Sequence, residues 1–167
     1  MSQMLANDEI DALLSPRIPS SFYQADPSDK TQGPVRRLFP RYKEVEQAYF
    51  RRTGIFPIMH VIVLRKDILE AYPWAARSLY KAFSQAKESL FQQIQDTSVL
   101  RLSLPWLLSE LEETTQLMGS DYWPYGIAAN RATLEAAISY SYEQGLTPRQ
   151  PTLEELFVAS TFNEFKI

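Results

Sequence analysis

Residues Ile58 to Leu64 (IMHVIVL) form an apolar run interrupted only by His60, and this run constrains the fold more than any other feature. Its β-branched residues predict a strand with both faces buried, which is the pattern of a parallel sheet covered by helices. Such a strand needs neighbours on either side. Only two other runs offer themselves: Ile10 to Leu14 (IDALL), which follows a polar turn or helix end at Ala6 to Glu9, and Val35 to Phe39 (VRRLF). Two or three short strands are too few for an independent sheet. The expected architecture is therefore α/β and helix-rich with few parallel-type strands, and it reads as the second half of a larger protein.

The rest of the chain carries helical signals. Residues 16–34 read as loop, punctuated by Pro16, Pro19, Pro27, Gly33 and Pro34. A helix is predicted from Pro40 to about Thr53, stopped by Gly54 as a left-handed C-terminal residue. A second runs from about Pro73 to Gln95, with Leu79, Phe83, Ala86, Leu90 and Ile94 as its apolar face and Lys81, Lys87 and Glu88 outside it. A third spans Pro105 to Met118, with Leu107, Leu108, Leu111 and Met118 inward. A fourth spans about Ile127 to Gln144, with Ile127, Leu134, Ile138 and Ser141 in phase. Thr152 and Glu155 have the spacing of a capping box for a last short helix.

Composition narrows the function classes. The chain has 167 residues, 45% apolar and 22% charged, which fits one ordinary globular domain. A net charge of −3 and a pI near 5.3 give no electrostatic reason to expect nucleic acid. The absence of cysteine excludes disulfides and thiolate chemistry, and a single histidine excludes a multi-histidine metal site within the chain. Neither a secretory leader nor a membrane-length apolar run is visible, so the expected location is cytoplasmic, without membrane partners.

Groups suited to a ligand lie in loops. Arg51 and Arg52 precede Gly54 and His60; adjacent guanidiniums can anchor a carboxylate through paired hydrogen bonds, and a histidine exchanges protons near neutral pH. Taken alone, the arginines read more simply as a solvated helix end and His60 as a core residue. Ser15-Pro16-Arg17 sits where the first predicted strand would end, the usual ligand side of α/β folds, although a surface arginine explains it as well. Asp121 to Gly126 (DYWPYG) offers a flat wall for an aromatic ring or, alternatively, an aromatic plug on the core. Ser20 to Tyr23 is a weaker candidate. Phosphate loops, nucleophile elbows and paired-histidine motifs are missing.

Four segments carry a resemblance to a known family: NDEIDALLSPRIPSSF (7–22), VRRLFP (35–40), YFRRTGIFPIMHVIVLRKDILEAYPWAARSLYKAFSQAK (49–87) and DYWPYGIAANRATLEA (121–136). With the ending LEELFVASTFNEFKI, they resemble the C-terminal half of bacterial 4,5-dihydroxyphthalate decarboxylases. That resemblance implies a partial fold like type II periplasmic binding proteins, two lobes with the ligand between them. Residues 1–55 would finish the second lobe, and residues 56–167 would supply a crossing strand and the helical end of the first. The implied partner is a small aromatic carboxylate, with no cofactor and no metal, and the remaining lobe would come from a missing N-terminal part or a homo-oligomer. A cysteine often expected after the SPR-x-PS run is Ser21 here.

The implied reaction is decarboxylation of 4,5-dihydroxyphthalate, or a related aromatic dicarboxylate, to protocatechuate, in this chain or in an enzyme of which it is a remnant. On that basis Arg17 and Arg52 are expected as carboxylate anchors, His60 as acid/base, and Trp123 and Tyr125 as ring wall. The alternative is a non-catalytic carboxylate-binding protein built on the same fold.

Overall fold

The computed structural model describes residues 1–24, 33–98 and 102–162. Pro27 lies outside them, as does the end of the LEELFVASTFNEFKI segment. The described residues form helices α1 (Ser2–Ala6), α2 (Tyr42–Thr53), α3 (Lys66–Ala71), α4 (Ala75–Gln95), α5 (Leu107–Met118), α6 (Ile127–Glu143) and α7 (Leu153–Leu156). Short 3₁₀ turns occupy Ser20–Gln24 and Ala159–Thr161. The chain divides into two compact units, Met1–Tyr49 and Phe50–Ile167, and the division falls inside α2.

The expected α/β fold is overturned. Helix accounts for 56% of the described residues, and none of them lies in a strand or sheet. The runs 10–14, 35–39 and 58–64 are irregular. The physical reason is that β propensity measures how well a side chain fits a pleated, half-buried surface and does not create that surface. Without neighbouring strands to satisfy its N–H and C=O groups, the 58–64 run has no ladder to join. Met59, Val61, Ile62 and Val63 are exposed, Val63 at 83%.

In the first unit, α1 packs against the 3₁₀ turn. The Ser2 hydroxyl donates to Ser21 Oγ at 2.9 Å and accepts from the Ser21 amide at 3.0 Å. Ser21 is 1% exposed, and Phe22 and Val35 are the buried apolar residues of this unit. The Arg37 guanidinium covers the rings of Phe22 and Tyr42, at 5.5 and 4.8 Å. Its planar cation shields their faces from water while staying solvated at the edge.

In the second unit α4, α5 and α6 stand within two residues of their expected bounds, α3 corresponds to no expected helix, and α4 packs against α3 and the Ala159–Thr161 turn. Pro73 is in the turn before α4 rather than inside it. Ala76, Ile127 and Leu153 are buried. The expected phase of α6 holds: Ile127 is buried, and Leu134, Ile138 and Ser141 are half-buried. The face of α4 does not hold. Leu79, Phe83 and Leu90 are 36%, 43% and 51% exposed, while Tyr80, Ser84, Lys87 and Phe91 are half-buried. The covered face is displaced by one residue, about 100° around the helix. Ile94 is half-buried and Ala86 exposed; on α5, Leu107, Leu111 and Met118 are half-buried, but Leu108 is exposed.

The expected capping box is present at α7. Thr152 Oγ1 accepts from the Glu155 amide, and the Glu155 carboxylate accepts from the Thr152 amide at 2.7 Å. Arg131 on α6 pairs with Glu135 at 3.0 Å and with Glu154 of α7 at 3.6 Å. None of the described helices is long and apolar enough to cross a membrane.

Candidate functional site

The displaced face of α4 receives the connector between α5 and α6, and this is where the chemistry-bearing side chains gather. Gly119 and Gly126 bound the connector with φ/ψ of 92/175° and 89/167°. That region of backbone space is essentially closed to residues with a Cβ, so the two glycines allow the chain to leave α5 and enter α6 abruptly. The connector folds tightly because Asn130 Nδ2 donates to the carbonyls of Pro124 and Gly126, at 2.9 and 2.8 Å.

Lys87 fastens the connector to α4. Its ammonium pairs with Asp121 Oδ1 at 2.7 Å and donates to the Trp123 carbonyl at 3.3 Å. It also lies 5.0 Å from the centre of the Tyr125 ring and 5.5 Å from that of Phe91. The side chain is only 14% exposed, whereas Asp121 remains 52% exposed. A lysine is suited to this task because its long apolar stem can lie along the helix while three rotatable donors reach the loop.

The Phe91 and Tyr125 rings flank this cation, and the other rings of the connector pack on neighbouring aromatics. Tyr122 stacks on Phe91 with centroids 4.5 Å apart and planes 15° from parallel. Trp123 meets Phe56 at 5.8 Å and is 41% exposed, so part of its ring is open to solvent. Burial, and secondarily the Asp121 carboxylate, push the Tyr122 hydroxyl above its ordinary pKa, because both disfavour a phenolate there. The arrangement is a partly open aromatic wall around an already neutralised cation. It can hold a planar apolar ring by stacking, but an incoming anion would have to compete with Asp121 for Lys87.

Of the five residues expected from the sequence, Trp123 and Tyr125 lie on this connector and both contact Lys87, Trp123 through its backbone carbonyl and Tyr125 through its ring face. His60 is exposed in the irregular segment after α2 and takes no part in the Lys87–Asp121 arrangement. Arg52 is exposed in the last turn of α2. Arg17 belongs to the first unit, where it is exposed and its amide donates to Ser15 Oγ at 3.2 Å. Sequence reasoning missed Lys87 and Phe91. The available signal was the spacing Tyr80, Lys87, Phe91, which places an aromatic, a cation and a second aromatic on one helical stripe. Among the described residues no group of three or more histidine, cysteine or acidic side chains could hold a metal ion.

No family model matches the chain. Over all 167 of its residues it is 33% identical to a 4,5-dihydroxyphthalate decarboxylase of Comamonas testosteroni. The match covers 49% of that protein, so the chain spans about half the length of the curated relative it matches. The resemblance carried by the four sequence segments is thereby borne out.

Proposed function

We propose that this chain carries the substrate-binding wall of an aromatic-carboxylate decarboxylase, with 4,5-dihydroxyphthalate as the substrate. The observation that carries the reading is the identity to a 4,5-dihydroxyphthalate decarboxylase over the chain's whole length. The aromatic wall at Trp123 and Tyr125 supports it, since a dihydroxylated ring is planar and stacks. In this reading Arg17 and Arg52 bind the two carboxylates, and His60 delivers a proton to the ring carbon that bears the departing one. The bond to the carboxylate carbon then breaks, and its electron pair returns to the ring as carbon dioxide leaves. A ring hydroxyl para to that carbon supplies electron density for the protonation. The product is protocatechuate.

The test is carbon dioxide release from 4,5-dihydroxyphthalate. One arm uses the purified chain alone, and a second mixes it with the separately produced remaining half of the Comamonas testosteroni relative. Release in either arm, abolished by His60→Ala, is the expected result. Release that survives His60→Ala removes the proton-delivery role, and no release in either arm overturns the decarboxylase reading.

A further inference from the structure

Lys87 has three features that are not needed for helix stability. Its side chain is 14% exposed, against 47% for Arg131 and 65% for Arg149 in their ion pairs, although α4 offers exposed positions on its other faces. It reaches across 34 residues of sequence to Asp121 and 36 to the Trp123 carbonyl. It also touches the connector at several points along its length: a carboxylate at Asp121, a backbone carbonyl at Trp123 and a ring at Tyr125. A single surface ion pair contributes little, about 0–1 kcal/mol. Contacts at three alternate residues, 121, 123 and 125, however, fix the direction of the backbone between them. Because the Trp123 carbonyl and the Tyr125 face share one ammonium, displacing that ammonium frees the backbone at Trp123 and the ring of Tyr125 together.

We propose that Lys87 is a positioning residue that sets Trp123 and Tyr125 as one surface for an aromatic ligand. This rests on the decarboxylase reading only for the identity of that ligand; the positioning itself belongs to the free chain. Lys87 acts through the rings rather than on the ligand, because Asp121 already neutralises it at 2.7 Å.

The chain holds three tryptophans, Trp74, Trp106 and Trp123. A Trp74→Phe/Trp106→Phe background therefore leaves Trp123 as the sole indole reporter. In it, Lys87→Met is expected to shift Trp123 emission to longer wavelength and to raise its quenching by acrylamide, with helical circular dichroism and the urea midpoint kept. Lys87→Arg is expected to restore much of the parent signal, and Lys81→Met, an exposed lysine of the same helix, to leave it unchanged. Where Lys87→Met loses its helical signal, Asp121→Asn carries the test and should move Trp123 in the same direction by a smaller amount. Unchanged Trp123 emission and quenching in Lys87→Met, or in Asp121→Asn where that variant carries the test, overturn the proposal. So does a shift in Lys81→Met as large as that in Lys87→Met. None of these readings uses substrate, so failure of the decarboxylase reading leaves them intact. Where the parent releases carbon dioxide, Lys87→Met should raise KM more than it lowers kcat.

Discussion

A Cβ on Gly126 would lie 2.8 Å from the hydroxyl oxygen of Tyr80. The connector thus touches α4 at its end as well as at Lys87, and glycine is required there twice over: by the approach of Tyr80 and by a φ of +89°. Gly126→Ala is expected to destabilise the second unit by about 2 kcal/mol, the usual size of such backbone strain. Urea unfolding checks it. Adding Tyr80→Phe should recover only the steric part, because the backbone strain remains.

Tyr122 gives a pH-dependent readout of the same packing. Its folded pKa is raised, so its contribution to stability is complete below the ordinary tyrosine value of about 10 and is lost as pH rises through the folded value. Ultraviolet titration of the tyrosinate should place one tyrosine above the ordinary range. Phe91→Ala should bring it down by admitting water, and Asp121→Asn by a smaller step. A spectrum of wholly ordinary tyrosines would contradict this packing.

Glu155 behaves in the opposite sense. The Arg149 hydrogen bond, then that from the Thr152 amide, hold its carboxyl below the ordinary value. The stability it contributes is present above the ordinary carboxylate value of about 4.3 and is lost as pH falls through the depressed folded value. The Thr152 amide resonance should therefore report a titration on the acid side of the ordinary carboxylate value. Arg149→Ala should return it toward that ordinary value.

Ser2 and Ser21 test the first unit. Ser2→Ala removes the acceptor of the Ser21 amide and the donor to its hydroxyl, leaving buried groups unpaired at a cost of about 1–3 kcal/mol. Ser21→Ala leaves Ser2 free to serve the same amide and to turn toward Ser20 Oγ, 3.1 Å away, so its cost should be about 1 kcal/mol. Hydrogen exchange at the Ser21 and Phe22 amides would rank the two. The reverse order would show that the hydroxyl pair, not the amide contact, holds the turn.

The arginine assignments predict a kinetic effect. Losing a charge-assisted hydrogen bond to a substrate carboxylate is worth roughly 1.5–3 kcal/mol, or about ten- to hundredfold in KM. Arg17→Ala and Arg52→Ala should each raise KM for 4,5-dihydroxyphthalate within that range. An unchanged KM withdraws that arginine from the anchor role.

Local signals along the chain were legible because they rest on local physics. Gly54 takes a φ of +67° and its amide closes on the Phe50 carbonyl at 2.7 Å, as a C-terminal glycine should. The Thr152–Glu155 box needs only three residues of helix to form. The phase of α6 was readable because Ile127, Leu134 and Ile138 are its large aliphatic side chains, whereas the competing Ala128, Ala132, Ala136 and Tyr140 row consists mainly of small ones. On α4 two stripes compete: Leu79, Phe83 and Leu90 carry more hydrophobic area than Tyr80, Lys87 and Phe91, yet the second is covered. Periodicity identifies apolar faces but not which of them finds a neighbour.

The sequence by itself determined the ends of the four longer helices to within two residues, because capping, glycine conformation and helical spacing act within a few residues, but not the short helices α1 and α3. It also determined the resemblance to a decarboxylase of about twice the length. Only the tertiary structure decided that Ile58 to Leu64 forms no strand, since a strand exists only through hydrogen bonds to another segment. The same holds for Lys87. The Tyr80, Lys87, Phe91 spacing places it between two aromatics on one stripe, but its partners Asp121, Trp123 and Tyr125 are brought to its ammonium only by the connector.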